Sequence, residues 1–243
     1  MARKIQGRNA VRELLKTEKI VYEILIAEGV KRDSIKEIID LANKKNIELN
    51  FLKRNQFENA KTISNPQGII ALTKDYEYSN LKNIIKDIDD GFVLICDSIK
   101  DPHNLGAILR TADATNVDCV IIPKDRAVDI TPVVTNVSVG ASEYVKVCKV
   151  TNIARTIDFL KDNGFWITGT DVEGTKTHFE SDFKGNIGVV IGSESSGMRR
   201  LVKEKCDFLV KIPMLGQIES LNASVAASIL MYEVLRQKNY EDK

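Results

Sequence analysis

Apolar positions divide the chain into two zones. From about Gln6 to Ala71 the segments are short. They predict helices over 8–15, 34–45 and 56–60, and strands over 21–27, 47–51 and 68–72. Ile35, Ile38, Ile39 and Ala42 recur at helical spacing, whereas Val21-Tyr-Glu-Ile-Leu-Ile-Ala27 is rich in β-formers. A polar stretch over 74–83 then reads as the start of a connection. The second zone carries a continuous apolar run over 92–96, the mark of a strand covered on both faces, and similar mainly apolar runs over 119–122, 144–147, 166–168, 187–191 and 208–212. Helices are predicted at 107–116, 153–163 and 221–237. Strands alternating with helices imply an α/β fold with a mostly parallel sheet, whose ligands gather at the carboxyl ends of the strands. The expected division is a small α/β domain over 1–76, a linker over 77–90 and a larger domain over 91–243.

Composition narrows the class. With 243 residues, 43% hydrophobic and 28% charged, the chain can build one large domain or two smaller ones. No apolar run reaches the roughly 18 residues that suggest a membrane span. The basic start, MARKIQGRNAVRELL, lacks an apolar signal core. A cytoplasmic protein without a membrane partner is expected. Cys96, Cys119, Cys148 and Cys206 lie far apart and read as small buried residues or idle thiols. With only His103 and His178 besides, no metal site is expected. Net charge is +1, but residues 1–80 hold 15 Lys/Arg against 11 Asp/Glu. That modest excess could meet phosphates.

Three segments concentrate polar residues after apolar strands. In the first, Asp101-Pro-His-Asn-Leu-Gly-Ala-Ile-Leu-Arg-Thr-Ala112, Asn104 is placed to cap a helix. Arg110, about two turns on, could grip phosphate or sugar oxygens. In the second, Gly192 and Gly197 bracket a polar loop that holds Glu194. In the third, Ile212-Pro-Met-Leu-Gly-Gln-Ile-Glu-Ser-Leu-Asn222 leads into a long helix that Ser220 or Asn222 would cap. Free N–H groups there favour polar or anionic ligand atoms. Taken one at a time, each is equally readable as a capped helix or a glycine turn. Neither G-x-x-x-x-G-K-[ST] nor G-x-G-x-x-G occurs, which argues against a nucleotide-dependent doubly wound enzyme.

In this order the three segments resemble the signature motifs of the SpoU (TrmH) branch of the SPOUT RNA methyltransferases. The matching patterns are D-P-x-N-x-G-x-x-x-R-T-A at 101–112, G-x-E-x-x-G-M at 192–198 and I-P-M…S-L-N-x-S-V-A over 212–226. Thr131-Pro-Val-Val and Ser138-Val-Gly-Ala-Ser-Glu143 resemble the family's middle segment. Ile5-Gln-Gly-Arg-Asn-Ala-Val-Arg-Glu-Leu-Leu15 and Pro66-Gln-Gly-Ile-Ile-Ala71 are similar to its N-terminal substrate-binding domain, which is L30e-like. Pro66 stands where relatives commonly have histidine.

The resemblance implies a C-terminal deep trefoil knot in the sheet domain and transfer of a methyl group from S-adenosylmethionine to a ribose 2′-hydroxyl in RNA. The implied substrate is a guanosine of 23S rRNA, with transfer RNA as the alternative. A non-catalytic RNA-binding ribosome-assembly protein on the same scaffold is the rival reading. Gly192, Ile212, Met214 and Leu221 would hold the cofactor, and Asn104, Arg110, Glu194, Ser220 and Asn222 would form the catalytic site. Arg110 is expected to stabilise developing alkoxide charge or grip a phosphate, because a guanidinium is a poor proton acceptor. Glu194 could orient Arg110 or take the proton; His103 and His178 are further acceptors to weigh. The family works as homodimers, so a partner subunit could complete each site.

Overall fold

The computed structural model describes residues 2–86, 88–194 and 196–240. They separate into two compact units, one formed by residues up to 77 together with 129–144, the other by 78–128 and 145 onward.

The first unit opens with β1 (Arg3–Gln6), α1 (Arg8–Lys16), β2 (Val21–Ala27), α2 (Lys36–Lys44), β3 (Glu48–Leu52), α3 (Arg54–Ala60) and β4 (Ile69–Thr73). Its four-stranded sheet runs β1-β4-β2-β3, with β3 parallel to β2 and the other pairings antiparallel. The apolar stripes of α1 and α2 supply Ala10, Val11, Leu14, Leu15, Ile38 and Ala42 to one core with Ile5, Ile24 and Ile69. β1 was not expected: four residues alone carry little periodicity, and its partner β4 lies more than sixty residues on. The helix expected over 34–45 is divided into a 3₁₀ turn (Arg32–Ile35) and α2. Pro66 is buried, and its carbonyl accepts from Ile69 N at 3.1 Å in the turn before β4. Gln67 Oε1 in that turn accepts from Arg8 N at 2.9 Å, at the start of α1.

The second unit continues with α4 (Leu81–Ile85), β5 (Phe92–Cys96), α5 (Pro102–Ala114) and β6 (Cys119–Pro123). The chain then leaves it for residues 129–144, whose α6 (Pro132–Val137) packs beside β1 in the first unit. It returns with β7 (Val147–Val150), α7 (Ile153–Asp162), β8 (Trp166–Thr170), β9 (Lys176–Thr177), β10 (Ile187–Ile191), α8 (Arg200–Lys205), β11 (Phe208–Lys211) and α9 (Ala223–Tyr240). The seven strands lie in the order β7-β6-β5-β10-β8-β11-β9, every pairing parallel. All five residues of β5 and of β10 are buried, as their unbroken apolar runs require. Strand order reverses between these two, so their carboxyl ends, Cys96 and Ile191, border the crevice where such sheets bind ligands.

The expected domain over 91–243 did not foresee the excursion of 129–144. A buried ion pair fastens it: Arg3 Nη2 donates to Glu143 Oε1 at 2.7 Å and to Thr135 Oγ1 at 2.7 Å. The excursion also corrects the strand expected over 144–147. Tyr144 closes a 3₁₀ turn over Ala141–Glu143, its N–H donating to Ala141 O at 3.0 Å, so pairing begins only at Val147.

The side chain of Glu143 is fully buried. Burial alone would raise its carboxyl, but the hydrogen bond and charge of Arg3, with Lys19, hold it below the usual carboxylate value. Its stabilisation is present above the unfolded-state value near ~4.3 and is lost as pH falls through the lower folded value. Glu143→Gln strands a buried guanidinium and is expected to cost about 3 kcal/mol. Urea unfolding at neutral pH checks this, and the gap from wild type should shrink in acid.

The candidate site at the carboxyl ends of β5 and β10

Three elements that are distant in sequence meet at the strand-order reversal. The loop after β10 turns back on itself: Ser193 N donates to Gly197 O at 3.1 Å and Gly197 N to Ser193 O at 2.8 Å. A Cβ on Gly192 would collide with the Gly197 carbonyl and Met198 N, so this turn admits only glycine there. The fold-back presents Glu194 to the starts of α5 and α9. Glu194 Oε1 accepts from Asn104 Nδ2 at 3.0 Å, from Ala223 N at 3.1 Å and from Asn222 Nδ2. Asn222 Nδ2 also donates to Asn104 Oδ1 at 2.9 Å. Asn104, Glu194 and Asn222 thus form one closed polar cluster.

The helix starts explain how the two asparagines become available. Asn104 was expected to cap α5, but Asp101 does so, its Oδ1 accepting from His103 N at 2.9 Å. Pro102 begins the helix at a position that needs no N–H donor, which moves the cap back to Asp101. Asn104 therefore lies inside the first turn, buried, with its amide free for Glu194. At α9 the cap is Asn222, whose Oδ1 accepts from Ser224 N at 2.9 Å while its amide faces the cluster. Ser220 is left to line the neighbouring cavity.

That cavity, about 610 Å³, is bounded by the carboxyl ends of β8, β10 and β11 and by the loops after them. Gly192, Ile212, Met214 and Leu221, the four residues expected to hold a cofactor, all line it, together with Glu194 and Ser220. Ile191, Met198, Val210 and Ala226 give it an apolar wall, and Asp171, Glu173 and Glu219 add carboxylates. Its volume falls within the ~300–1,000 Å³ of small-molecule and cofactor sites. Asn104 and Asn222 do not line it themselves but border it through Glu194, whereas Arg110 joins neither the cavity nor the cluster. It is exposed on α5 and does not line the cavity. Within one chain Glu194 orients the two asparagines, not Arg110.

Sequence reasoning missed Asp97 and Arg199. Asp97 follows β5 directly and is fully buried. It accepts from Arg199 N at 2.8 Å and Arg199 Nε at 2.7 Å, which fastens the far end of the Glu194 loop to β5. A carboxylate right after an apolar strand was the available signal. Thr170 and Asp171, at the carboxyl end of β8, were also overlooked although the strand-end rule covers them. Of the histidines, His103 is exposed with Nδ1 3.2 Å from Asp101 Oδ1, and His178 is buried in the turn after β9. All four cysteines are free thiols, and burial pushes Cys96 and Cys206 up to about 12, which makes them poor nucleophiles at neutral pH. Among the described residues no cluster of three His, Cys, Asp or Glu could hold a metal ion, and no helix is long and apolar enough to cross a membrane.

A parallel sheet with a reversal-point cavity, walled by loops that bring two asparagines to one glutamate, defines a cofactor-binding α/β enzyme. Residues 91–232 match the profile of the SpoU rRNA Methylase family, and residues 4–79 match that of the RNA 2′-O ribose methyltransferase substrate-binding domain. The chain belongs to the SpoU rRNA methylase family. It is 47% identical over 240 residues, 97% of this chain and 96% of the relative, to a Staphylococcus saprophyticus protein provisionally named as a TrmH family tRNA/rRNA methyltransferase. Its fold matches the SpoU methyltransferase AviRb from Streptomyces viridochromogenes, with TM-score 0.83, 23% identity and coverage of 98% of this chain and 90% of that one. AviRb has also been solved in complex with the cofactor AdoMet. A solved RNA 2′-O ribose methyltransferase matches with TM-score 0.79 and 25% identity over 96% of this chain and 88% of its own.

Proposed function

We propose that the protein transfers a methyl group from S-adenosylmethionine to a ribose 2′-hydroxyl in RNA, a guanosine of 23S rRNA being the substrate. The observation that carries this reading is the Asn104–Glu194–Asn222 cluster beside a cavity lined by Gly192, Ile212, Met214 and Leu221. The cavity suits that cofactor: apolar walls accept an adenine ring, and Glu219 offers a carboxylate to its cationic groups, Asp171 and Glu173 being paired with Lys203. When bound, S-adenosylmethionine supplies a methyl on a positively charged sulfur. The protein's own task is to hold the ribose oxygen in line with that methyl, worth several kcal/mol of barrier. Asn104 and Asn222, locked by Glu194, position the substrate-facing wall. Arg110 stabilises charge growing on the ribose oxygen.

Arg110 reaches the reaction from the partner subunit of a homodimer in this reading. An exposed apolar surface supports the dimer: Leu215 and Ile218 in the loop before α9, with Val225 and Tyr232 on α9, are all exposed. A trefoil-knotted threading belongs to the same reading. So does a cytoplasmic location, where ribosomal RNA and free thiols coexist.

Mapping 2′-O-methyl positions in cellular RNA with and without this gene tests the proposal. Loss of methylation at one 23S rRNA guanosine is expected. Loss in transfer RNA instead would overturn the substrate and keep the reaction; no change in any RNA would overturn both. Gly192→Ala should reopen the tight turn at an overpacking cost of about 1–3 kcal/mol. Calorimetry should read this as weaker S-adenosylmethionine binding by a chain that still unfolds cooperatively.

A further inference from the structure

The first unit carries its own cavity of about 440 Å³, remote in composition from the one described above. It is lined by Arg32, Asp33, Lys36, Ile39, Leu49 and Phe51. Leu49 and Phe51 stand two residues apart on one face of β3, the edge strand of the four-stranded sheet. Ile39 and Leu49 are half-buried and join the core below, whereas Phe51 is 51% exposed. A large aromatic face is therefore offered to solvent above an apolar floor. Arg32 and Lys36, four residues apart where the 3₁₀ turn runs into α2, are exposed beside it. Among the described residues no carboxylate pairs with either cation, and Asp33 alone offsets them in the cavity.

The combination selects its occupant. A simple anion would use the two cations and leave Phe51 idle, and an apolar peptide would use Phe51 and strand the cations. An unpaired nucleotide uses both: its base has a free π-face to stack, and its flanking phosphates meet the positive charge. A base inside a duplex has both faces covered. We infer that this cavity binds one unpaired nucleotide of the RNA substrate, with the base on Phe51 and the phosphates at Arg32 and Lys36. The inference rests on the reading of the chain as an RNA-modifying enzyme, and it assigns a contact in the first unit, whereas the methyl-transfer residues belong to the second.

The test uses the full chain and a short fluorescein-labelled oligouridine, followed by fluorescence anisotropy. Phe51→Ala should weaken binding about tenfold, the effect of losing one stacked base. Phe51→Trp should restore it. Arg32→Gln with Lys36→Gln, which leaves Phe51 in place, should weaken binding and flatten the log–log salt dependence by about 1.4. Phe51 sits at a sheet edge, half in solvent, so both variants should fold. Wild-type binding in both variants would overturn the inference and leave the edge to a protein partner. Failure of the wild-type chain to bind oligouridine would overturn it as well. S-adenosylmethionine calorimetry on the same preparations keeps the two readings apart. Cofactor binding lost while Phe51-dependent oligouridine binding persists would sink the methyltransferase reading and spare this contact.

Discussion

Arg110→Ala should lower methyl transfer by about 10²–10³-fold, the usual effect of removing one group that stabilises transition-state charge. S-adenosylmethionine affinity should hardly change, because Arg110 is exposed on α5 and takes no part in lining the cavity. Single-turnover assays and cofactor calorimetry separate these quantities. A defect confined to cofactor affinity would refute the role given to Arg110. The proposed dimer makes a sharper demand. If Arg110 serves the partner's cavity, mixing Arg110→Ala subunits with Glu194→Ala subunits creates one site in which both side chains are wild type. Activity should then reappear in the mixture of two inactive proteins. A mixture that exchanges subunits and stays inactive would place Arg110 and Glu194 of each site on the same chain.

Glu194→Ala has the second large effect, and it should differ in kind. Glu194 is the common acceptor for Asn104 Nδ2, Asn222 Nδ2 and Ala223 N, so its loss releases the loop after β10 and the starts of α5 and α9 together. Asn104 and Ala223 are buried, and each such donor left without a partner costs about 1–3 kcal/mol, whereas the exposed Asn222 amide can turn to water. Turnover should fall by at least about 10²-fold, and cofactor affinity should fall too, by about tenfold, since the same loop walls the cavity. Glu194→Gln should rescue in part, because all three donors meet the single oxygen Oε1, which a glutamine carbonyl also offers without the charge. Normal cofactor binding by Glu194→Ala would show that the cluster and the cavity are independent.

Much of this architecture could be read before any coordinates. The runs at 92–96 and 187–191 became the two fully buried central strands, since a strand covered on both faces has no position for a polar side chain. The polar loops after them and after β11 contain the residues that meet at the site. Where reading failed, long-range contacts had overruled local signals. Asp101 displaced Asn104 as the cap of α5, although both residues are good caps in isolation. Tyr144, in a β-favouring run, instead closes the 3₁₀ turn of a segment that the distant Arg3 fastens through Glu143. Asp97 and Arg199 gave little warning, because a buried carboxylate paired with an exposed arginine about a hundred residues away leaves no periodic trace.

The amino-acid sequence alone determined the longer strands and helices and the chemistry available at most strand ends, because periodicity and turn residues act over only a few neighbours. Tertiary structure decided which of those ends share a space. It closed Glu194 around Asn104 and Asn222, left Arg110 facing outward, and drew residues 129–144 to the N-terminal unit. Such choices depend on hydrogen bonds and charge pairs between residues about a hundred positions apart, where only the folded chain brings donor and acceptor within 3 Å.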